Sequence, residues 1–167
     1  GLVGSEMCIR DRYKGATEYG EAGVYVTFEE DSLTFKRNML RFGFDFNALE
    51  EKGLVRVLDL EVLKGEGLQT NIDYILDIID EISAQRLVID SLSAFILAFG
   101  EKFEYRAMMH LFYRILKRKG CTTILTCSIP FGARAIGLGV EESIADSVIH
   151  LDNFEDGLEL KTRLLIR

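Results

Sequence analysis

Apolar residues recur along this chain at two spacings, and the switching between them predicts an ordered series of strands and helices. Val24-Tyr25-Val26-Thr27-Phe28 is a β-rich run that closes on Glu29-Glu30. Asp31 or Ser32 caps a helix running to about Phe42, with Leu33, Met39 and Leu40 as candidate core contacts, and Gly43 ends it. Leu54–Asp59 alternates as a short strand, and Gly65-Glu66-Gly67 makes a flexible connection. From Asn71 the residues Ile72, Ile75, Leu76, Ile79 and Ile82 form one helical stripe. Leu87-Val88-Ile89, ending at Asp90, is apolar without alternation, as suits a central parallel strand. A helix follows over about Glu104–Lys119, with Met108, Leu111, Phe112 and Ile115 expected inward and Gly120 at its C′ position. Thr122–Cys127 is a strand and Ile129–Gly139 a loop, while Val140–Asp146 suits a short helix. Ser147–Asp152 and Leu158–Ile166 are expected as strands joined across Asp156-Gly157. Strands alternating with helices mean an α/β layered domain with a mainly parallel sheet.

The totals narrow this picture. With 167 residues the chain suits one domain with a real core, and its 48% hydrophobic and 28% charged residues are ordinary for a soluble globular protein. No apolar run approaches the roughly 20 residues of a membrane span, and no basic segment precedes an apolar secretory core, so a cytoplasmic protein is expected. A formal charge of −7 disfavours a surface given over to coating nucleic acid. Cys121 and Cys127 sit six positions apart in one expected strand, roughly 20 Å, beyond disulfide reach. Both are expected as reduced thiols.

Gly1–Arg12 stands apart. It has neither helical nor strand periodicity, and only Tyr13–Tyr19 reads as the end of a helix. Met7-Cys8-Ile9-Arg10-Asp11-Arg12 resembles the translated mosaic-end adapter of transposase-based sequencing libraries, which reads Met-Cys-Ile-Arg-Asp and then Ser or Arg. Residues 1–12 are therefore read as non-native and residues 13–167 as the domain.

Two expected strand ends carry candidate chemistry, because ligands of open α/β sheets gather beyond the carboxyl ends of the strands. Asp90, followed by Ser91, matches a Walker B arrangement, in which a carboxylate organises the magnesium that bridges nucleotide phosphates. Glu29-Glu30 closes the first strand, where a carboxylate can orient or deprotonate an attacking water. Taken singly, an Asp at a strand end is common and a Glu pair is a solvated turn. His110 and His150 lack partners at metal-ligand spacing. The basic run Arg114–Lys119 is explained by the helix dipole.

Taken in order, these residues resemble one family. Gly20-Glu21-Ala22-Gly23-Val24-Tyr25-Val26-Thr27-Phe28-Glu29-Glu30 is similar to the segment after the P-loop helix of KaiC-like, RecA-type ATPases. Leu87-Val88-Ile89-Asp90-Ser91-Leu92-Ser93 resembles their Walker B strand, and Gly120-Cys121-Thr122-Thr123-Ile124-Leu125-Thr126 the strand beside it. Gly139-Val140-Glu141-Glu142 and Ala145-Asp146-Ser147-Val148-Ile149 resemble the block before their late strands. The resemblance spans residues 13–167. It implies a three-layer RecA-like P-loop NTPase core lacking its N-terminal P-loop strand and helix. It makes Glu29 the general base with Glu30 its partner, Asp90 the ligand of a water-bridged magnesium, and Asp90, Ser91 and Thr126 the nucleotide contacts. Thr126 would sense the γ-phosphate. The cofactors implied for the parent protein are ATP and Mg. The partners implied are further copies, in a hexameric ring or a filament, with Ile129–Gly139 facing the channel.

Three features depart from the family pattern. No Gly-Lys-Ser or Gly-Lys-Thr occurs, so the phosphate cradle and its lysine are missing. Arg167 stands about where a Lys-x-Arg-Gly motif would begin. Ser128 stands near the end of the Thr126 strand where relatives often carry Glu. The chain itself is expected to be inactive, and its parent to hydrolyse ATP for assembly or signalling. Two alternatives are a recombinase paralogue binding single-stranded DNA or another recombinase in repair, and a non-catalytic interaction subunit. In the missing strand's place beyond Thr122–Cys127, a gap or a strand borrowed from Gly1–Ser5 is expected.

Overall fold

The computed structural model describes residues 2–61, 66–93, 96, 102–129, 139–157 and 159–167. Four strands form one parallel sheet: β1 (Gly23–Thr27), β2 (Val55–Asp59), β3 (Arg86–Asp90) and β4 (Thr122–Leu125), in the spatial order β2-β1-β3-β4. The registers Thr27↔Asp90 and Ile89↔Leu125 align the carboxyl ends of β1, β3 and β4 at one edge. Helices cover both faces: α1 (Leu2–Glu18), α2 (Ser32–Arg41) and α3 (Phe46–Glu51) on one, and α4 (Glu66–Glu81), α5 (Lys102–Arg118) and α6 (Glu141–Ile144) on the other. The strand β5 (Ile149–Asp156) pairs antiparallel with β6 (Glu159–Ile166) in a separate two-stranded sheet. Asp156 pairs with Glu159, so the hairpin turns from Gly157, at φ 67°, one residue later than expected.

The period-2 geometry of strands divides the core between two layers. Val24, Val26, Leu87 and Ile89 point into the layer built with Ile72, Ile75 and Ile79 of α4 and Tyr105, Met109, Phe112 and Leu116 of α5. Tyr25, Val55, Val57 and Val88 point the other way, against Cys8, Ile9 and Ala16 of α1, Phe35 of α2 and Phe46 and Leu49 of α3. Tyr25 stacks on Phe35 at 4.6 Å, and Phe35 packs tilted on Phe46 at 5.3 Å.

Asp31 caps α2 by accepting from the Thr34 amide at 2.9 Å, and this phase turns Phe35 inward. Leu33 and Leu40, expected in the core, are exposed, and Met39 is half-buried. In α5 the buried stripe is Tyr105-Met109-Phe112-Leu116, leaving Leu111 exposed. Apolar residues on every side of that helix allowed more than one stripe. Tyr105 is fixed by its hydroxyl, which donates to buried Glu141 at 2.7 Å, while the other Glu141 oxygen accepts from the Val140 amide at 2.9 Å. Glu50 performs a similar task at the outer edge of β2: its carboxylate accepts from the Val57 amide at 2.9 Å and from Lys36 at 2.7 Å.

Two expectations about the missing strand meet the structure here. β4 and β5 do not pair, and β4 ends the parallel sheet among the described residues. No strand is borrowed from the N-terminus, since residues 2–5 belong to α1. That helix runs eleven residues further upstream than its sequence suggested, because Cys8, Ile9 and Ala16 share one face while Arg12 interrupts their stripe. Arg12 is buried; one nitrogen donates to Asp11, while Nε and Nη1 have no hydrogen-bond partner among the described residues. Desolvation pulls its pKa down to about 10, so it stays charged at neutral pH. Replacing it with an apolar side chain removes that cost. Arg12→Leu is expected to stabilise the chain by about 1–3 kcal/mol, read from urea denaturation midpoints; an unchanged or lower midpoint would refute the cost.

Candidate functional site

The carboxyl edge of the sheet gathers the residues singled out in the sequence. Asp90 ends β3 half-buried, with both carboxylate oxygens engaged by hydroxyl donors. Thr126 donates to Oδ1 at 2.6 Å and Tyr25 donates to Oδ2 at 2.8 Å. Burial and the adjacent carboxylate push the Tyr25 phenol well above its ordinary pKa, which keeps its proton in place for that bond. Thr126 lies one residue beyond β4, and the ladder continues through it: its amide donates to the Ile89 carbonyl at 3.0 Å and its carbonyl accepts from the Leu92 amide at 2.8 Å. Ser91 is buried, joined to Asp90 by a cis peptide bond, and its hydroxyl donates to Glu29 Oε1 at 3.4 Å.

Past β1 the chain turns over Thr27, whose hydroxyl accepts from the amides of Glu29 and Glu30, each at 3.3 Å. The turn separates the two carboxylates. Glu29 is exposed and linked to Ser91, whereas Glu30 is half-buried and accepts from Asn38 of α2 at 2.8 Å. Glu29, Asp90, Ser91 and Thr126 are thus joined pairwise at one edge, and Glu30 is turned towards α2. Sequence reading missed Tyr25, Thr27 and Asn38. A phenol at a fully buried strand position needs a partner, and that was the available signal for Tyr25.

The remaining candidates have ordinary environments. His110 is exposed and His150 half-buried in β5, and the described residues contain no cluster of three or more His, Cys, Asp or Glu able to hold a metal. Cys121 is buried and Cys127 half-buried, both as free thiols held above their usual pKa by burial. Of the basic helix end, Lys119 pairs with Asp80 at 2.6 Å and Lys117 with Asp146 at 3.6 Å. The loop expected over Ile129–Gly139 lies, between residues 130 and 138, outside the described residues. Among the described residues, no helix is long and apolar enough to cross a membrane.

A family model described as "ATPase: KaiC" matches residues 5–167. A UPF0273 protein of Methanocaldococcus jannaschii is 32% identical over 177 aligned residues, covering 97% of this chain and 72% of that protein. The circadian clock oscillator protein KaiC of Synechococcus elongatus is 31% identical over 153 residues, covering 87% of this chain and 30% of that protein. The crystal structure of a KaiC-like protein from Pyrococcus horikoshii superposes with a TM-score of 0.80 at 40% identity, over 93% of this chain and 70% of that one. The chain therefore spans between about a third and three quarters of the length of these relatives.

The geometry separates a carboxylate held by two short hydrogen bonds from an exposed one that accepts a single long one. Asp90→Ala leaves the buried Tyr25 hydroxyl without its charged acceptor, so a loss of about 1.5–3 kcal/mol is expected in urea unfolding. Glu29→Ala removes an exposed group with one long hydrogen bond and is expected to stay within about 0.5 kcal/mol of the unmodified chain.

Proposed function

The chain belongs to the KaiC ATPase family, and on that premise we propose that the carboxyl edge of its sheet is the metal-organising and water-activating side of an ATP hydrolysis centre. One observation carries the reading: Glu29, Asp90, Ser91 and Thr126 arrive from three parallel strands and are joined by hydrogen bonds at one edge.

Asp90 is the residue to organise magnesium through water. Its two hydroxyl bonds aim the carboxylate while leaving further lone pairs on each oxygen. A single oriented carboxylate suits an ion that dehydrates reluctantly and keeps most of its water. Bound there, magnesium would neutralise charge on the nucleotide phosphates. Glu29, exposed at the same edge, takes the proton from the attacking water. Ser91 holds Glu29 on the β3 side, and Asn38 keeps Glu30 from competing for that position. Thr126 has one hydroxyl proton, donated to Asp90, so a γ-phosphate contact would be made at the expense of that bond. Nucleotide occupancy would then be felt at the Asp90 carboxylate.

The sequence has no Gly-Lys-Ser or Gly-Lys-Thr, so these 167 residues do not supply the amide cradle and lysine that hold phosphates. We read Gly1–Arg12 as foreign to the domain. The family match begins within it, at residue 5, and its backbone is helical, but Arg12 puts a charged, under-bonded group into a core layer. In the intact protein, turnover at interfaces between copies in a ring or filament would drive changes of assembly or partner. The family match and the −7 charge favour this over a DNA-binding recombinase role.

Two measurements test the assignment. Calorimetry on residues 1–167 is expected to show no saturable ATP binding in the micromolar range; such binding would mean that phosphates are held by groups other than a P-loop. In a chain given an upstream Gly-x-x-x-x-Gly-Lys-[Ser/Thr] segment, Glu29→Gln is expected to keep nucleotide affinity while lowering turnover about 10²–10⁴-fold. Asp90→Asn there is expected to weaken magnesium-dependent binding as well as rate. Parental rates in both variants would overturn the site.

A further inference from the structure

Two adjacent carboxylates follow β1, and the atom that sends them apart belongs to neither glutamate. Thr27 is the last residue of β1, paired with Asp59 of β2 on one side and Asp90 of β3 on the other. The ladder runs out just beyond it. The Thr27 carbonyl accepts from the Leu60 amide at 3.0 Å, and the Phe28 amide donates to the Asp90 carbonyl at 3.2 Å. Past those two bonds the Glu29 and Glu30 amides meet no backbone acceptor among the described residues. Both turn back onto the Thr27 hydroxyl oxygen, each at 3.3 Å.

That oxygen does for the turn what a strand carbonyl does for the ladder. Thr27 is only 5% exposed, so water does not readily replace its hydroxyl as the acceptor. Strand alternation turns Phe28 the other way, where it packs against the α4–α5 layer and holds the turn from the opposite face. The side-chain bonds further out are not enough to select Glu29 by themselves. Its bond from Ser91 is 3.4 Å long, near the limit of a useful hydrogen bond, whereas Glu30 accepts from Asn38 at 2.8 Å. What places Glu29 beside Ser91 is therefore the path of the backbone, and Thr27 closes that path.

We infer that Thr27 is a positioning residue: its hydroxyl determines which of the two adjacent carboxylates stands beside Asp90 and Ser91, and so which one acts as the base. The inference rests on the reading of Glu29 given under the proposed function. Both groups are carboxylates of the same length, and either could take a proton from water if the chain brought it to the edge. Removing the hydroxyl leaves two amides without their acceptor and frees the turn to present one carboxylate or the other. The expected consequence is a loss of discrimination between Glu29 and Glu30 as well as a slower reaction.

The first arm of the test uses the chain given an upstream Gly-x-x-x-x-Gly-Lys-[Ser/Thr] segment. With Thr27 in place, Glu29→Gln is expected to lower kcat about tenfold or more beyond the effect of Glu30→Gln. Thr27→Val keeps the β-branched shape without the hydroxyl. It is expected to lower kcat about tenfold at unchanged KM for ATP, and to bring the two glutamate effects within about threefold of each other. Thr27→Ser is expected to restore both the rate and the difference. A general loosening of the fold would slow every variant and leave the ratio as it was. The second arm needs no ATP: in residues 1–167, hydrogen exchange at the Glu29 and Glu30 amides is expected to quicken more than tenfold in Thr27→Val and to stay near the parental rate in Thr27→Ser. The Thr126 amide, bonded to Ile89, serves as the unchanged reference. Unaltered exchange in Thr27→Val overturns the inference, because the hydroxyl would not hold the turn. Faster exchange with the glutamate ratio preserved overturns it while leaving Glu29 as the base. A parental rate in Glu29→Gln with Thr27 present removes the reading beneath it, and the inference falls with that reading.

Discussion

The parallel pairing of β1 with a strand on each side is the constraint from which the rest follows. All five residues of β1 are buried, its backbone is bonded to β2 on one edge and β3 on the other, and its side chains alternate between the two core layers. An unpaired amide or carbonyl there would cost on the order of 1–3 kcal/mol, so the register Thr27↔Asp90 is held tightly. That register brings a phenol in mid-strand within reach of a carboxylate at the end of the neighbouring strand. Tyr25 thereby serves both the aromatic stack with Phe35 and the orientation of Asp90. The site is a by-product of strand alignment, with helices on both faces keeping that alignment fixed.

The sequence disclosed those features that short segments decide for themselves. β1 and β3 are β-rich apolar runs closed by carboxylates, and the four sheet strands fell within a residue or two of their expected places. Asp31 and Gly120 acted as the cap and C′ residues that their types suggest. What the sequence hid depends on phase or on distant register. Six-residue α3 is too short for its apolar positions to display a period. In α5 the apolar residues ring the helix, and the polar tie between Tyr105 and Glu141 settles which stripe is buried. Tyr25 and Asp90 are 65 positions apart, and their bond exists only once the strands align. Glu29 and Glu30 read as an equivalent pair, yet the turn over Thr27 sends them to different neighbours.

Charge is handled in contrasting ways across the molecule. Asp90 and Glu141 are polar groups inside the fold whose oxygens meet hydroxyl or amide donors, so each ties separate elements together. Glu50 joins α2, α3 and β2 through Lys36 and the Val57 amide. Arg12 breaks the pattern: it is the most deeply buried cation among the described residues, and two of its three nitrogens go unused. The difference separates charge recruited to specify a fold from charge that the fold merely tolerates.

The strand order has a further consequence for how the chain is made. β1 meets β2 at a register of Gly23↔Val55 but must wait for Arg86 before its second edge is covered. At roughly 5–20 residues per second of synthesis, the intervening thirty or so residues keep that edge bare for a few seconds on the ribosome. Until that interval ends, Val24 and Val26 lack Leu87 and Ile89 beside them. The nascent chain is then a half-built sheet with one sticky margin. Anything that slows elongation across residues 60–86 lengthens the time in which chaperones, or neighbouring nascent chains, can reach it.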